Sequence, residues 1–103
     1  MQDVLINIAD GVMTLTLNRV EKKNSFTQAM YSTCADALLQ ASTDTAVHVV
    51  VIQGHATVFS AGNDIGDFLA KPPRGEDAPV FRFMRGLVTF PKPLVAALCG
   101  PAV

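Results

Sequence analysis

The run VHVVVI at residues 47–52 constrains this chain more than any other stretch, because it is short, nearly unbroken in its apolar character and rich in β-branched side chains. A strand covered on both faces reads this way, and such strands commonly lie in parallel sheets. Parallel pairing requires a crossover connection, usually a helix. The run therefore predicts an α/β architecture with at least one right-handed crossover. His48 is its one interruption, and a single histidine there reads as a strand-end or core residue with a hydrogen-bond partner.

The flanking sequence supplies the other elements. Val4, Ile6 and Ile8 alternate with other residues, Asp10-Gly11 gives a turn, and Met13, Leu15 and Leu17 alternate again, which predicts a hairpin with one buried side. Residues 18–24 (NRVEKKN) are polar and basic, after which Ser25 and Gln28 have the spacing of a capping box. Met30, Cys34, Ala37, Leu38 and Ala41 then form one apolar stripe at helical period, ending near Ser42. Residues 65–69 read as a short helix, and residues 71–79 (KPPRGEDAP) as a surface loop. Val80, Phe81, Phe83, Met84, Leu87 and Val88 predict a further amphipathic helix stopped by Pro91 and Pro93. A buried strand over 94–98 (LVAAL) follows, entering a turn at Gly100-Pro101. There is no internal repeat and no low-complexity tract.

Composition narrows the function classes. At 103 residues the chain is one domain, half of its residues are apolar and only 17% are charged. With a mean hydropathy of +0.32 it resembles a protein interior, and its surface is expected to be covered by more protein. A net charge of -1 offers nucleic acid or anionic lipid no general attraction. No apolar run approaches the ~20 residues of a membrane-spanning helix, and the opening residues lack the pattern of a signal peptide. The expectation is a soluble, cytoplasmic chain without membrane or nucleic-acid partners. Cys34 and Cys99 lie in apolar segments without CxxC spacing and read as reduced, buried thiols. His48 and His55 have no third ligand at metal spacing, so no metal site is expected.

Neither GxGxxG nor GxxxxGK[ST] occurs, and Ser60 lacks the preceding glycine of a nucleophile elbow, so it reads as structural. What remains is Phe59-Ser60-Ala61-Gly62-Asn63-Asp64-Ile65. Its small residues let a ligand approach the main chain, and a helix beginning near Asp64 leaves backbone N–H groups unpaired, which suits an oxyanion. On spacing alone the same residues read more readily as a tight strand-to-helix connection capped by Asn63 or Asp64.

Five segments in order carry a resemblance. Leu15-Thr16-Leu17-Asn18-Arg19, Glu21-Lys22-Lys23-Asn24-Ser25-Phe26, residues 49–54, the Phe59 to Ile65 segment, and Phe90-Pro91-Lys92-Pro93-Leu94-Val95-Ala96-Ala97 with Gly100-Pro101-Ala102-Val103 together resemble the first part of an enoyl-CoA hydratase/isomerase, the crotonase family. The resemblance implies the N-terminal portion of a crotonase-like ββα spiral fold over residues 1–103. It also implies that an acyl-CoA thioester binds with its carbonyl between two main-chain N–H groups, an oxyanion hole. By motif the first donor is the N–H of Asn63, while Ala61, Gly62, Asp64 and Ile65 line the path of the coenzyme A pantetheine and adenine. Lys22 and Lys23 stand where the family approaches the coenzyme A phosphates, and read as well as a solvated basic turn.

The family pattern places the second oxyanion donor in a glycine-rich turn beyond Val103, and the proton-moving glutamates further downstream. None of Glu21, Glu76 or Asp77 matches those positions. Val20 and Cys99 stand where the family commonly has proline and asparagine. The run Asn63-Asp64-Ile65 is closer to the version in some Δ3,Δ2-enoyl-CoA isomerase relatives than to that of many hydratases. The expectation is a lyase or isomerase of fatty-acid or related acyl-CoA metabolism, represented by its N-terminal part and inactive as 103 residues. The family further implies trimers or pairs of trimers, and no cofactor, since coenzyme A belongs to the substrate. The alternative is a truncated, noncatalytic crotonase-like module that binds acyl-CoA or a partner. A flavodoxin-like or receiver-like domain fits the alternation of elements but lacks a phosphate loop and acidic strand ends.

Overall fold

The structure, a computed structural model, describes residues 2–55, 57–70, 72–75 and 77–97. Leu98, Cys99, the turn at Gly100-Pro101, Ala102 and Val103 lie outside the described residues, as do Lys71 and Glu76.

The expected hairpin forms from β1 (Val4–Ala9) and β2 (Val12–Leu17), antiparallel with Ala9 opposite Val12. Its two-residue turn places Asp10 at φ 53° and Gly11 at φ 81°, the paired left-handed conformation that matches strand twist. A β-carbon on Gly11 would also stand 2.5 Å from Cδ2 of His48. His48 thus sits against the turn, exposed and just before its strand, while its N–H donates to the Gly11 carbonyl at 2.7 Å.

From β2 the chain crosses through α1 (Gln28–Thr43) to β3 (Val49–Gln53), and then through α2 (Ile65–Ala70) and α3 (Pro79–Thr89) to β4 (Leu94–Ala97). The sheet order is β1-β2-β3-β4, with β2, β3 and β4 parallel. All five residues of the predicted helical stripe are buried, and they meet Met13, Leu15 and Leu17 of β2 with Val50 and Ile52 of β3 in one core. Trimming such a buried side chain as Leu38 to alanine costs about 2–5 kcal/mol.

Four expectations are corrected, the first being the burial of the last strand: in β4 Leu94 is half-buried and Val95, Ala96 and Ala97 are exposed. The capping box does not form: α1 begins two residues later, with Thr27 as its cap accepting from the Met30 N–H at 3.2 Å, because the Ser25 hydroxyl is taken by Arg19. Ile6 and Ile8 share a face with Leu15 and Met13 yet stay 47% and 41% exposed. The cause is position, since β1 is the edge strand and a groove of about 420 Å3 opens between Val4 and Ile6 and the first turns of α1. The strand 47–52 is not buried equally on both faces: Val50 and Ile52 are buried, whereas Val49 and Val51 are half-buried.

The third helix begins at Pro79, inside the expected loop, with proline at its first position where a missing N–H costs nothing. Val80 is buried and Phe83 and Leu87 pack on the core, while Phe81, Met84 and Val88 face outward. Arg82 latches α3 to α1 through Asp36 at 3.0 Å and Ser32 at 2.8 Å. Lys92 clasps the end of α1: its Nζ donates to the carbonyls of Ala41, Asp44 and Val47 at 2.6, 2.8 and 2.7 Å. Among the described residues no helix is long and apolar enough to cross a membrane.

Candidate active site

In a parallel α/β sheet the loops leaving the carboxyl ends of the strands meet in one place. Here those are residues 18–27 after β2 and 54–64 after β3, and they are laced together by main-chain and buried polar bonds. A 3₁₀ turn at Val20–Lys22 folds the first loop back, with Lys23 and Asn24 left-handed at φ 53° and 55°. Asn24 is fully buried, and its Oδ1 accepts from the Arg19 N–H at 2.7 Å while its own N–H donates to the Arg19 carbonyl at 2.9 Å. Asparagine tolerates this backbone region better than most residues.

The second loop turns tightly at His55 and Val58, whose main chains pair at 2.9 and 3.2 Å. Gly54 makes that turn possible, since a β-carbon there would stand 2.6 Å from the Phe59 carbonyl oxygen. Ser60 is buried, and its hydroxyl donates to the Asn24 carbonyl at 2.9 Å and accepts from the Gly62 N–H at 3.1 Å, the structural role expected of it. Ala61 N–H donates to the Lys23 carbonyl at 3.0 Å. Phe26 then clamps the next residues: its N–H donates to the Gly62 carbonyl at 2.7 Å and its carbonyl accepts from the Asp64 N–H at 2.8 Å.

The amides of residues 61, 62 and 64 are therefore all occupied, whereas among the described residues the Asn63 N–H has no acceptor. Its direction is fixed nonetheless. In a trans peptide the carbonyl of Gly62 and the N–H of Asn63 point oppositely, so a carbonyl held by Phe26 turns the N–H away from that strand. Gly62 at φ 90° is what lets the chain take this path.

The neighbouring side chains hold the loop. Arg19 Nη1 donates to Asp64 Oδ2 at 2.7 Å and to both the carbonyl and hydroxyl of Ser25 at 3.0 Å. Asp64 Oδ1 accepts from the Asp67 N–H at 2.9 Å, capping α2, so the capping reading holds for Asp64 itself. That backbone N–H first, and Arg19 second, hold the Asp64 carboxyl below the usual carboxylate range. An anion so engaged is a poor proton carrier near neutrality. Asp67 in turn accepts from the Gln28 N–H at 2.7 Å, tying α2 to the start of α1. Ile65 is exposed at the head of α2.

Lys22 and Lys23 lie at the same edge, both exposed, and among the described residues neither pairs with a carboxylate. Lys22 adds slightly to the lowering at Asp64. Among the described residues no three His, Cys, Asp or Glu side chains gather as metal ligands would.

Tyr31 went unremarked in the sequence, although it is the chain's one tyrosine. It lies on α1 beside the buried stripe, and its hydroxyl donates to Asn63 Oδ1. Its ring stacks on Phe26 with centroids 4.7 Å apart and is flanked by Phe83 and Phe68 at 5.5 and 6.3 Å. Burial first, and Cys34 second, push its phenol up.

Residues 7–103 match the profile of the enoyl-CoA hydratase/isomerase family, and the chain belongs to that family. It is 36% identical to enoyl-CoA delta isomerase 3, peroxisomal, of Mus musculus, over 99% of this chain and 34% of the relative. It is also 36% identical to 1,2-epoxyphenylacetyl-CoA isomerase of Escherichia coli K12, over 99% of this chain and 42% of the relative. Among solved structures, OdaA of Pseudomonas aeruginosa superposes with a TM-score of 0.94 at 51% identity, covering 99% of this chain and 41% of that one. The crotonase fold anticipated from the motifs is thereby shown, and the chain spans about a third of the length of the curated relatives it matches.

Proposed function

We propose that this chain carries the acyl-CoA-binding half of an enoyl-CoA hydratase/isomerase site, with the N–H of Asn63 as one donor of an oxyanion hole. The observation that supports this is the amide pattern: three neighbouring N–H groups are bonded internally and the Asn63 N–H, fixed in direction, is not. As an α-proton leaves, or as water adds at the β-carbon, negative charge moves onto the thioester oxygen. A donor already in place stabilises that charge without reorganising. Ala61, Gly62, Asp64 and Ile65 then line the path of the pantetheine and adenine, and Lys22 and Lys23 meet the phosphates as point charges. The second donor and the proton-moving carboxylate would come from chain beyond these 103 residues, and the 103 residues alone are expected to turn over no substrate. Coenzyme A enters as part of the substrate and no other cofactor is needed. The protein works in the cytoplasm as a trimer or pair of trimers.

Relatives of similar identity include both isomerases and a hydratase, so turnover of both substrate types is tested. A noncatalytic acyl-CoA-binding module is the second reading, favoured by the engaged state of Asp64, which leaves no free carboxylate beside Asn63 among the described residues.

Two measurements decide. The intact mass of the polypeptide in its natural source, against 11.0 kDa, shows whether more chain is present. Turnover of 2-enoyl- and 3-enoyl-CoA thioesters is then followed in the protein made from its full coding sequence. Asn63→Pro, which deletes the N–H, is expected to lower kcat by roughly 10²–10³, and Asn63→Ala, which keeps the N–H, by far less. Tight thioester binding without turnover moves the reading to the module, and a folded full-length protein that binds no coenzyme A thioester defeats both.

A further inference from the structure

We infer that Tyr31 is a positioning residue for the Asn63 amide, holding it through the Asn63 side chain from the surface of α1. The inference rests on the reading of Asn63 as a donor to the thioester carbonyl. Gly62, at φ 90° and without a β-carbon, makes rotation of the 62–63 peptide cheap, so something else must hold it. Beside the flanking bonds of the Gly62 and Asp64 N–H groups, the structure shows one restraint on the peptide's carbonyl and one on the Asn63 side chain. Phe26 N–H holds the Gly62 carbonyl at 2.7 Å, on one side of the peptide. Tyr31 Oη–H holds Asn63 Oδ1, on the other.

Both restraints converge on Phe26. The Tyr31 ring lies against the Phe26 ring at 4.7 Å with an interplanar angle of 23°, so the residue that anchors the side chain also supports the residue that anchors the carbonyl. Phe83 and Phe68 fix the Tyr31 ring in turn. Because burial raises its phenol, Tyr31 stays a donor at every pH where such a reaction is assayed. Misplacing a donor by even 1 Å costs up to ~100-fold in rate, which is why the tie matters for chemistry and not only for folding.

The test uses Tyr31→Phe, which keeps the ring stack and removes only the hydroxyl, in the protein made from its full coding sequence. The probe is 2,4-hexadienoyl-CoA, whose absorption moves to longer wavelength when its carbonyl is polarised. The bound wild-type probe should be red-shifted, and Tyr31→Phe should lose at least about half of that shift at saturation. In the same variant kcat should fall about tenfold with KM nearly unchanged. Asn63→Ala, which removes the other end of the tie, should give a smaller loss of the same kind, and adding it to Tyr31→Phe should cost little more. This second variant keeps the test open if Tyr31→Phe folds poorly, which a urea midpoint detects. An unchanged shift and kcat in both variants overturns the role of Tyr31 while leaving Asn63 in place. A wild-type protein that binds the probe with no shift removes the donor reading, and the inference falls with it.

Discussion

Burial alone sets the chemistry of Cys34. The thiol is fully enclosed beneath α1, and its pKa is pushed up from 9.0 to about 12. The folded state therefore prefers the protonated thiol. That preference stabilises the fold fully below the ordinary pKa, and the contribution is lost as pH rises from 9.0 toward about 12. In a Cys99→Ser background, a thiol reagent should label Cys34 only as fast as the chain opens, with denaturant accelerating both together. Labelling at the rate of a free cysteine in native buffer would contradict that enclosure. At this scale the sequence was partly legible. Cys34 and Ser60 could be placed because their types and neighbours decide their burial. Asn63 was singled out through its motif, and its N–H has no acceptor among the described residues. Tyr31 was not singled out, because its hydroxyl acts across 32 positions of chain, a contact that no local period encodes. Phe26 was legible only as part of a motif, because its main-chain bonds to Gly62 and Asp64 and its ring contact with Tyr31 again join distant stretches of chain.

Elements were more legible than their ends. The stripe of α1 and the alternation of β2 repeat often enough to survive local exceptions, whereas a boundary rests on one or two side chains. Ser25 illustrates this: its spacing to Gln28 suits a cap, but a guanidinium 3.0 Å away competes for the hydroxyl and Thr27 takes the role. Lys92 is the counterpart at the other end of α1. With no basic residue in its last turn, the helix takes its cation from the approach to β4. An ammonium on three carbonyls both satisfies those acceptors and opposes the negative end of the helix dipole. Lys92→Met is expected to destabilise the protein by about 2–3 kcal/mol, as loss of charge-assisted hydrogen bonds does. Urea unfolding measures this, and amide exchange should quicken first around residues 41–47. A change confined to the surface, with no shift in urea midpoint, would show that the clasp contributes nothing.

At the largest scale, the described residues cover one side of the sheet more fully than the other. The run 47–52 predicted burial on both, and the structure supplies a helical layer for one. Leu5, Val51 and Val95 lie on the other, with Leu5 and Val95 42% and 50% exposed. The sequence carried this information as composition: half the residues are apolar, more than a single covered face consumes. Exposed apolar area of this kind promotes association. In sedimentation velocity the 103-residue polypeptide should exceed 11.0 kDa increasingly with concentration, and Val95→Lys should weaken that trend. A monomer at every concentration would show that the face is not adhesive.

The Asn63 peptide has a consequence in the language of inheritance. Its N–H belongs to the main chain, so a change of codon leaves it in place unless the new codon specifies proline. The side chain at position 63 is then open to revision without loss of that N–H. Among the described residues the hydrogen bond from Tyr31 constrains that freedom, so lineages that abandon asparagine at 63 should be released from keeping a hydroxyl at 31 as well.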